Sequence, residues 1–202
     1  MKFHSLDTET TGLPDDPYAR VIEIGITTWD SEMSDVDKMT SRFSSIVRPS
    51  VLTQKGLEIA WSISKINKEQ IESAPSADQV WSLLQSYLDT LPYPVIAWNM
   101  PFDRYMIRRS FMGVDEVKSS DKKNFGLLEV LDIEGDPIQW WDCACKAYAK
   151  YRNTEKLTGL NHAYRVVCAE EDIVPNPQIH RAMSDSAMVG WIVCHVLNNG
   201  MS

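Results

Sequence analysis

Apolar and β-branched residues recur along the N-terminal part of the chain in short blocks separated by turn residues. KFHSLDTETTG (residues 2–12) sets Phe3 and Leu6 among small polar neighbours and stops at Gly12-Leu13-Pro14, which predicts a strand ended by a turn. ARVIEIGITTWD (19–30), dense in Val, Ile and Thr, predicts a second strand, and SRFSSIVRPS (41–50) a third, closed by Pro49. The period then becomes helical. Within SKINKEQIESAPSADQVWSLLQSYLDTL (64–91), Val80, Leu83, Leu84, Tyr87 and Leu88 share one face, and Pro75-Ser76 is a start signal. YPVIAWN (93–99) predicts a short buried strand from Val95 to Trp98, and FDRYMIRRSF (102–111) a helix with Phe102, Tyr105, Met106 and Arg109 along one side. PIQWWDCACKAYAKY (137–151) predicts a strand running into a helix, and TGLNHAYRVV (158–167) another helix. SDSAMVGWIVCHVLNN (184–199) predicts an apolar last helix stopped by Gly200. Residues 113–137 are mixed, charged and glycine-bearing, and read as a variable, partly mobile excursion.

Three strands followed by helices that alternate with two more predict an α/β domain with a mixed sheet, its first three strands forming a meander. At 202 residues and 23.0 kDa the chain is long enough for one full core, and 1–202 is taken as a single domain. No apolar run is long enough to span a bilayer and no signal-peptide pattern opens the chain, so a cytoplasmic location is expected. Cys143, Cys145, Cys168 and Cys194 lack zinc or redox spacing and read as free buried thiols. A formal net charge of −8 argues against a protein that binds duplexes through a basic surface. It leaves room for a nucleic-acid enzyme whose site holds divalent cations, because the cations supply positive charge locally and their acidic ligands add to the negative count.

The chemistry begins with Asp7 and Glu9. Strand side chains alternate faces, so these two acids point the same way, about 7 Å apart along the strand. On a buried strand that is costly unless one is protonated or cations sit between them. WNMPFD (98–103) places Asp103 at a helix start after a buried strand, and HRAMSD (180–185) places Asp185 at the entry to the last helix. Each alone reads as a first-turn acid favoured by the helix dipole. Together they are four acids at strand ends and helix starts, where ligands of open α/β sheets gather. Acids without a matching thiol suit hard cations such as Mg²⁺ or Mn²⁺, and His180 is placed to take a proton from a water.

DTETTG (7–12), N-x-x-F-D (99–103) and H-x-x-x-x-D (180–185), in this order, resemble the three motifs of the DEDDh 3′–5′ exonucleases. RVIEIGITTWD, FSSIVRPS, SISKINKEQIESAP, WWDCACKAY and GLNHAYRVV extend the resemblance over nearly the whole chain. It implies a ribonuclease-H-like fold, a five-stranded mixed β-sheet flanked by α-helices. It implies a metal-dependent hydrolase acting on single-stranded DNA or RNA 3′ ends, DNA favoured, and releasing nucleoside 5′-monophosphates. Two divalent cations, Mg²⁺ or Mn²⁺, would be held by Asp7, Glu9, Asp103 and Asp185. Asp7 would bridge both ions, Glu9 and Asp185 would complete the first, and Asp103 would hold the second largely through water. His180 would be the general base. Thr10, Gly12, Asn99 and Trp61 match positions near the terminal nucleotides.

Two positions depart from the family pattern. Trp98 stands where many members have histidine, and reads as core or as a base-stacking ring. Trp61-Ser62 replaces a common His-Gly pair, and Trp61 reads as a wedge for a single strand or as a buried anchor. Glu23, His4, His162 and His195 read as structural, Trp140 and Trp141 as core, and Lys118, Lys122 and Lys123 as a solvated loop or a phosphate contact. The alternative to an enzyme is a catalytically silent nuclease-like module docking to a polymerase or another nucleic-acid-processing partner; intact acids and His180 weigh against it. Homodimerisation and polymerase association are both left open, with a free-standing enzyme favoured because the chain ends soon after its last helix.

Overall fold

The computed structural model describes residues 1–35, 37–113 and 136–200. Most of the 113–137 excursion, with Lys118, Lys122 and Lys123, lies outside the described residues. The predicted meander is present as β1 (Lys2–Thr10), β2 (Val21–Asp30) and β3 (Met39–Ile46), paired antiparallel in sequence. β4 (Val95–Ala97) adds to the other side of β1 in parallel, His4↔Val95 through Leu6↔Ala97, giving the order β3-β2-β1-β4. The sheet is mixed as expected, but it has four strands among the described residues rather than five. Where the fifth was expected, the chain makes a single parallel bridge from Trp140 to Val95. Val95 N–H donates to Gln139 O at 2.8 Å, and Trp141 N–H donates to Val95 O at 2.7 Å. The ladder has no length to grow: Pro137 offers no N–H, and Cys143 already sits at the N-cap of α5 (Ala144–Tyr151).

β1 is buried on both faces, which explains its apolar run. Phe3 packs into a cluster with residues of α5, α6 (Leu160–Glu170) and α7 (Ala182–Asn199). Leu6 packs into a second cluster with α3 (Ala77–Thr90) and α4 (Met100–Phe111). The buried polar side chains of β1 find partners. His4 Nε2 donates to Leu91 O at 2.7 Å while Nδ1 faces the Thr28 hydroxyl at 2.9 Å, and burial pushes its pKa down, so it is a neutral structural histidine. His195 is likewise buried, 2.7 Å from Glu171 and 3.1 Å from Glu170, whereas His162 is exposed on α6. Trp140 and Trp141 are partly buried against the two clusters, and all four cysteines are buried and free. Among the described residues no helix is long and apolar enough to cross a membrane.

α3 begins where expected, on a capping box in which Ser76 and Gln79 bond each other's backbone. The preceding stretch is a separate short helix, α2 (Lys68–Ser73), capped by Asn67. α1 (Gln54–Ser64) has no counterpart in the sequence prediction. Its buried positions are Gly56, Ala60 and Ser64, all small and spaced by four, while Trp61 and Ile63 are exposed. A helix whose inner face is small and whose outer face carries large apolar side chains inverts the usual pattern.

The approach of α7 to the sheet depends on Gly25, as it does on Gly190 of α7, where a Cβ would meet the Trp29 ring at 1.9 Å. Gly25 lies opposite Asp7 in the β1–β2 register. A Cβ at Gly25 would come 2.3 Å from the backbone carbon of Ala182 and 2.4 Å from Met183 N. These are backbone atoms that cannot swing aside, so the first turn of α7 rests directly on β2. Gly25→Ala is therefore expected to cost about 1–3 kcal/mol, as overpacked sites do. Urea denaturation checks this; a stability equal to that of the parent would refute the contact.

Candidate active site

β1 ends in the acids, and its neighbours bring the others to it. Asp7 and Glu9 lie on one face of the strand. α7, seated over Gly25, lowers Asp185 onto that face from its first turn. Asp7, Glu9 and Asp185 each offer an oxygen, and these oxygens lie within 4.8 Å of one another. Asp103 comes from the first turn of α4 and stays outside this trio. Its Oδ1 accepts from Thr8 N–H at 3.1 Å and from the Thr8 hydroxyl at 2.8 Å, which anchors α4 to β1 beside the cluster.

The electrostatic consequence is large. Loss of water and then the charges of Asp103, Asp185, Glu9 and Glu23 push the Asp7 carboxyl well above its usual range. Burial pushes Glu9 up to about 7, against a downward pull from the Ser64 hydroxyl, which donates to Glu9 Oε2 at 2.5 Å. Burial pushes Asp103 up to about 7 as well, opposed by its Thr8 donors. Asp185 is raised by burial and partly relieved by Gln178, whose Nε2 donates to Oδ2 at 2.6 Å. The other oxygen, Asp185 Oδ1, is buried with no hydrogen-bond partner. An orphaned carboxylate oxygen beside two more acids fits a hard divalent cation, with Asp7, Glu9 and Asp185 as its ligands.

His180 is more than half exposed, its Nδ1 4.0 Å from Asp185 Oδ2. Its φ of 48° is in the left-handed region, unusual for a residue with a Cβ. The next residue explains how that conformation is held. Arg181 makes a two-pronged contact with Glu23, Nε to Oε2 at 2.9 Å and Nη2 to Oε1 at 2.6 Å. Glu23 Oε2 also accepts from Ala182 N–H at 3.0 Å, so this buried acid caps α7 and clamps the chain just after His180. Its reading as a structural acid agrees with these contacts.

The remaining site residues divide. Thr10 donates through its hydroxyl to Gly12 O at 2.8 Å, shaping the turn just past the acids. Asn99 caps α4 without a side-chain bond, and its carbonyl accepts from Phe102 N–H at 2.8 Å. Trp61 is 57% exposed on α1, which rules out the buried-anchor reading. Trp98 is core: its Nε1 donates to Thr158 O at 3.0 Å and its ring lies 5.9 Å from Tyr148. Ser64, Gln178 and Arg181 were not singled out in the sequence. An acid inside the apolar run VIEIGI was the one signal for the Arg181 clamp; Ser64 and Gln178 left none.

A family model described as RNase_T: Exonuclease matches residues 5–190. Among solved structures, the chain is similar to the nuclease domain of 3′hExo, a DEDDh family member, bound to rAMP, at 14% identity over 98% of this chain and 92% of that one, TM-score 0.67. It is similar to cell-death related nuclease 4 at 19% identity over 98% and 64%, TM-score 0.65. Against E. coli exonuclease I in complex with a dA16 oligonucleotide the identity is 15% over 98% and 41%, TM-score 0.64. At these identities the likeness is one of fold. No curated protein matches the sequence.

The raised carboxylates fix a sign. In the metal-free fold they bind protons more tightly than in the unfolded chain. Their contribution to stability is therefore complete below the ordinary carboxylate range and lost as pH rises through about 7, the value for Glu9 and Asp103. The metal-free protein should thus lose thermal stability from pH 4.5 to pH 8. Mg²⁺ or Mn²⁺ at a hundredfold excess over its Kd should raise Tm by roughly 5–10 °C at pH 8 and far less at pH 5. Thermal melts at the two pH values decide it; an equal cation effect at both would contradict the acid cluster as the binding site.

Proposed function

The chain belongs to the exonuclease family whose model spans residues 5–190, and from that premise we propose that it is a metal-dependent 3′–5′ exonuclease of single-stranded nucleic acid. The observation that carries this reading is the gathering of Asp7, Glu9 and Asp185 with ligand oxygens within 4.8 Å and His180 beside them. Two bound divalent cations would supply an activated water and stabilise the leaving 3′ oxygen of a phosphodiester. Asp7, Glu9 and Asp185 would hold one of them. Asp103, beside the cluster, would serve the other together with Asp7.

The protein's own groups do the rest. His180 Nδ1 is the ring nitrogen that faces Asp185, which leaves Nε2 to take the proton of the attacking water. The clamp of Arg181 on Glu23 holds the backbone that presents this ring. The turn shaped by Thr10 and Gly12, together with Asn99, receives the terminal nucleotide. Trp61, exposed on α1, offers a face on which a base can stack. Stacking of that kind suits an unpaired end. The similar folds bound to rAMP and to a dA16 oligonucleotide support RNA or DNA ends as substrates.

Incubation with 5′-labelled single-stranded DNA and RNA in Mg²⁺ or Mn²⁺ should yield products that shorten from the 3′ end and nucleoside 5′-monophosphates. If neither substrate shortens in either metal, the reading fails. Asp7→Asn should abolish turnover with the fold intact by circular dichroism. His180→Asn should lower kcat by about 10²–10⁴-fold, the usual worth of a general base, with Tm close to the parent because asparagine tolerates the left-handed backbone. An unchanged kcat in that variant would remove His180 from the chemistry.

A further inference from the structure

Two hydrogen-bond donors approach the acid cluster from outside it, and neither belongs to the motifs. Ser64 is the last residue of α1 and is 1% exposed. Its hydroxyl donates to Glu9 Oε2 at 2.5 Å. Gln178 lies in the connection before α7, and its amide donates to Asp185 Oδ2 at 2.6 Å. Each donor occupies one oxygen of a ligand. For Asp185 the result is explicit, because Oδ2 is engaged and Oδ1 is left buried without a partner.

The chemistry of a carboxylate ligand gives this arrangement a meaning. A carboxylate free to rotate about its last bond presents either oxygen, or both, to a cation. A donor fixed on one oxygen selects the other and sets the plane of the group. Both donors are neutral, so they orient the acids without cancelling the negative charge that attracts the cation. They are also set by different parts of the fold. α1 reaches Glu9 because Gly56 lets it lie against β1; a Cβ there would meet Thr11 Cβ at 2.9 Å. Gln178 stands two residues before His180, in the segment whose far end is clamped by Arg181 on Glu23.

We propose that Ser64 and Gln178 are positioning residues that fix the rotamers of Glu9 and Asp185, and so set how tightly this chain binds its divalent cations. This rests on the metal-dependent reading above and deepens it. It gives α1 a second role: the helix that exposes Trp61 to a strand also orients Glu9 three residues later, through Ser64. Ser64 is buried and the Gln178 amide is engaged by Asp185, so the effect is expected on cation affinity and on kcat, with the KM for nucleic acid unchanged.

The test is direct Mn²⁺ binding to the intact protein without nucleic acid, by calorimetry, on the parent, Ser64→Ala, Gln178→Leu and Ser64→Thr. Removing a group that orients a metal ligand weakens binding by about 10–100-fold. Ser64→Ala and Gln178→Leu should show such a loss, with a metal-free Tm near that of the parent, and Ser64→Thr, which keeps the hydroxyl, should recover most of it. On 5′-labelled single strands the first two variants should need correspondingly more Mn²⁺ for half-maximal rate, at unchanged KM for the strand. Parent-like Mn²⁺ affinity in both, or a loss that Ser64→Thr shares in full, overturns the proposal, as does a parent that binds no Mn²⁺. A parent that binds Mn²⁺ and variants that bind it weakly, with no strand shortened by any of them, uphold the positioning role and sink the exonuclease reading instead.

Discussion

Mutual repulsion among Asp7, Glu9 and Asp185 is the constraint around which the rest of this structure is arranged. Like charges with oxygens within 4.8 Å in a water-poor setting drive one another toward protonation. The fold holds them together regardless, through forces that act elsewhere. β1 is fixed by hydrogen bonds on both edges and by apolar layers on both faces. α7 is pressed onto β2 by a glycine contact that no other residue permits, and its start is tied down by Glu23. The energy of a large core and of sheet pairing thus offsets a local electrostatic cost, and that cost would become affinity for a bound cation.

Around this centre the polar contacts form a graded set. Asp103 is satisfied by Thr8 and stands beside the trio. Glu9 and Asp185 each have one oxygen engaged, by Ser64 and Gln178. Asp185 Oδ1 has nothing. At the site this unpaired oxygen lies where a hard cation would sit, whereas His4, buried in the sheet, is paired on both ring nitrogens. His180 adds a second kind of stored cost, a left-handed backbone held by its clamped neighbour. Strain and unpaired charge coincide within a few residues of each other, as they do at sites whose groups are held ready for chemistry.

Much of the fold was readable along the chain. The meander, the helix after Ser76 and the apolar last helix follow from alternation, β-branching and spacing. α1 did not follow, because its inner face is Gly56, Ala60 and Ser64 and its outer face carries Trp61 and Ile63. Hydrophobic periodicity assumes that large side chains point inward; close packing of a helix on a strand reverses that. The fifth strand fell short for a different reason, since Pro137 and the α5 cap at Cys143 leave only a bridge between them. Propensity recognised an extended segment there, yet the number of ladder rungs depends on what the flanking chain must do next.

By itself, the sequence determined the identity and spacing of the candidate catalytic groups: Asp7 and Glu9 on one strand face, Asp103 and Asp185 in the first turns of helices, His180 five residues before the last acid. Those relations are local, and local geometry is what residue order encodes. Only the tertiary structure decided which acids share a site at close range, that Asp103 turns to Thr8, and that Trp61 is exposed while Trp98 is core. It alone brought in Ser64 and Gln178 and paired Glu23 with Arg181. Ser64 and Glu9 are 55 positions apart and Glu23 and Arg181 are 158 apart. Contacts of that span depend on how helices seat on the sheet, and that seating turns on the absence of a side chain at Gly25 and Gly56.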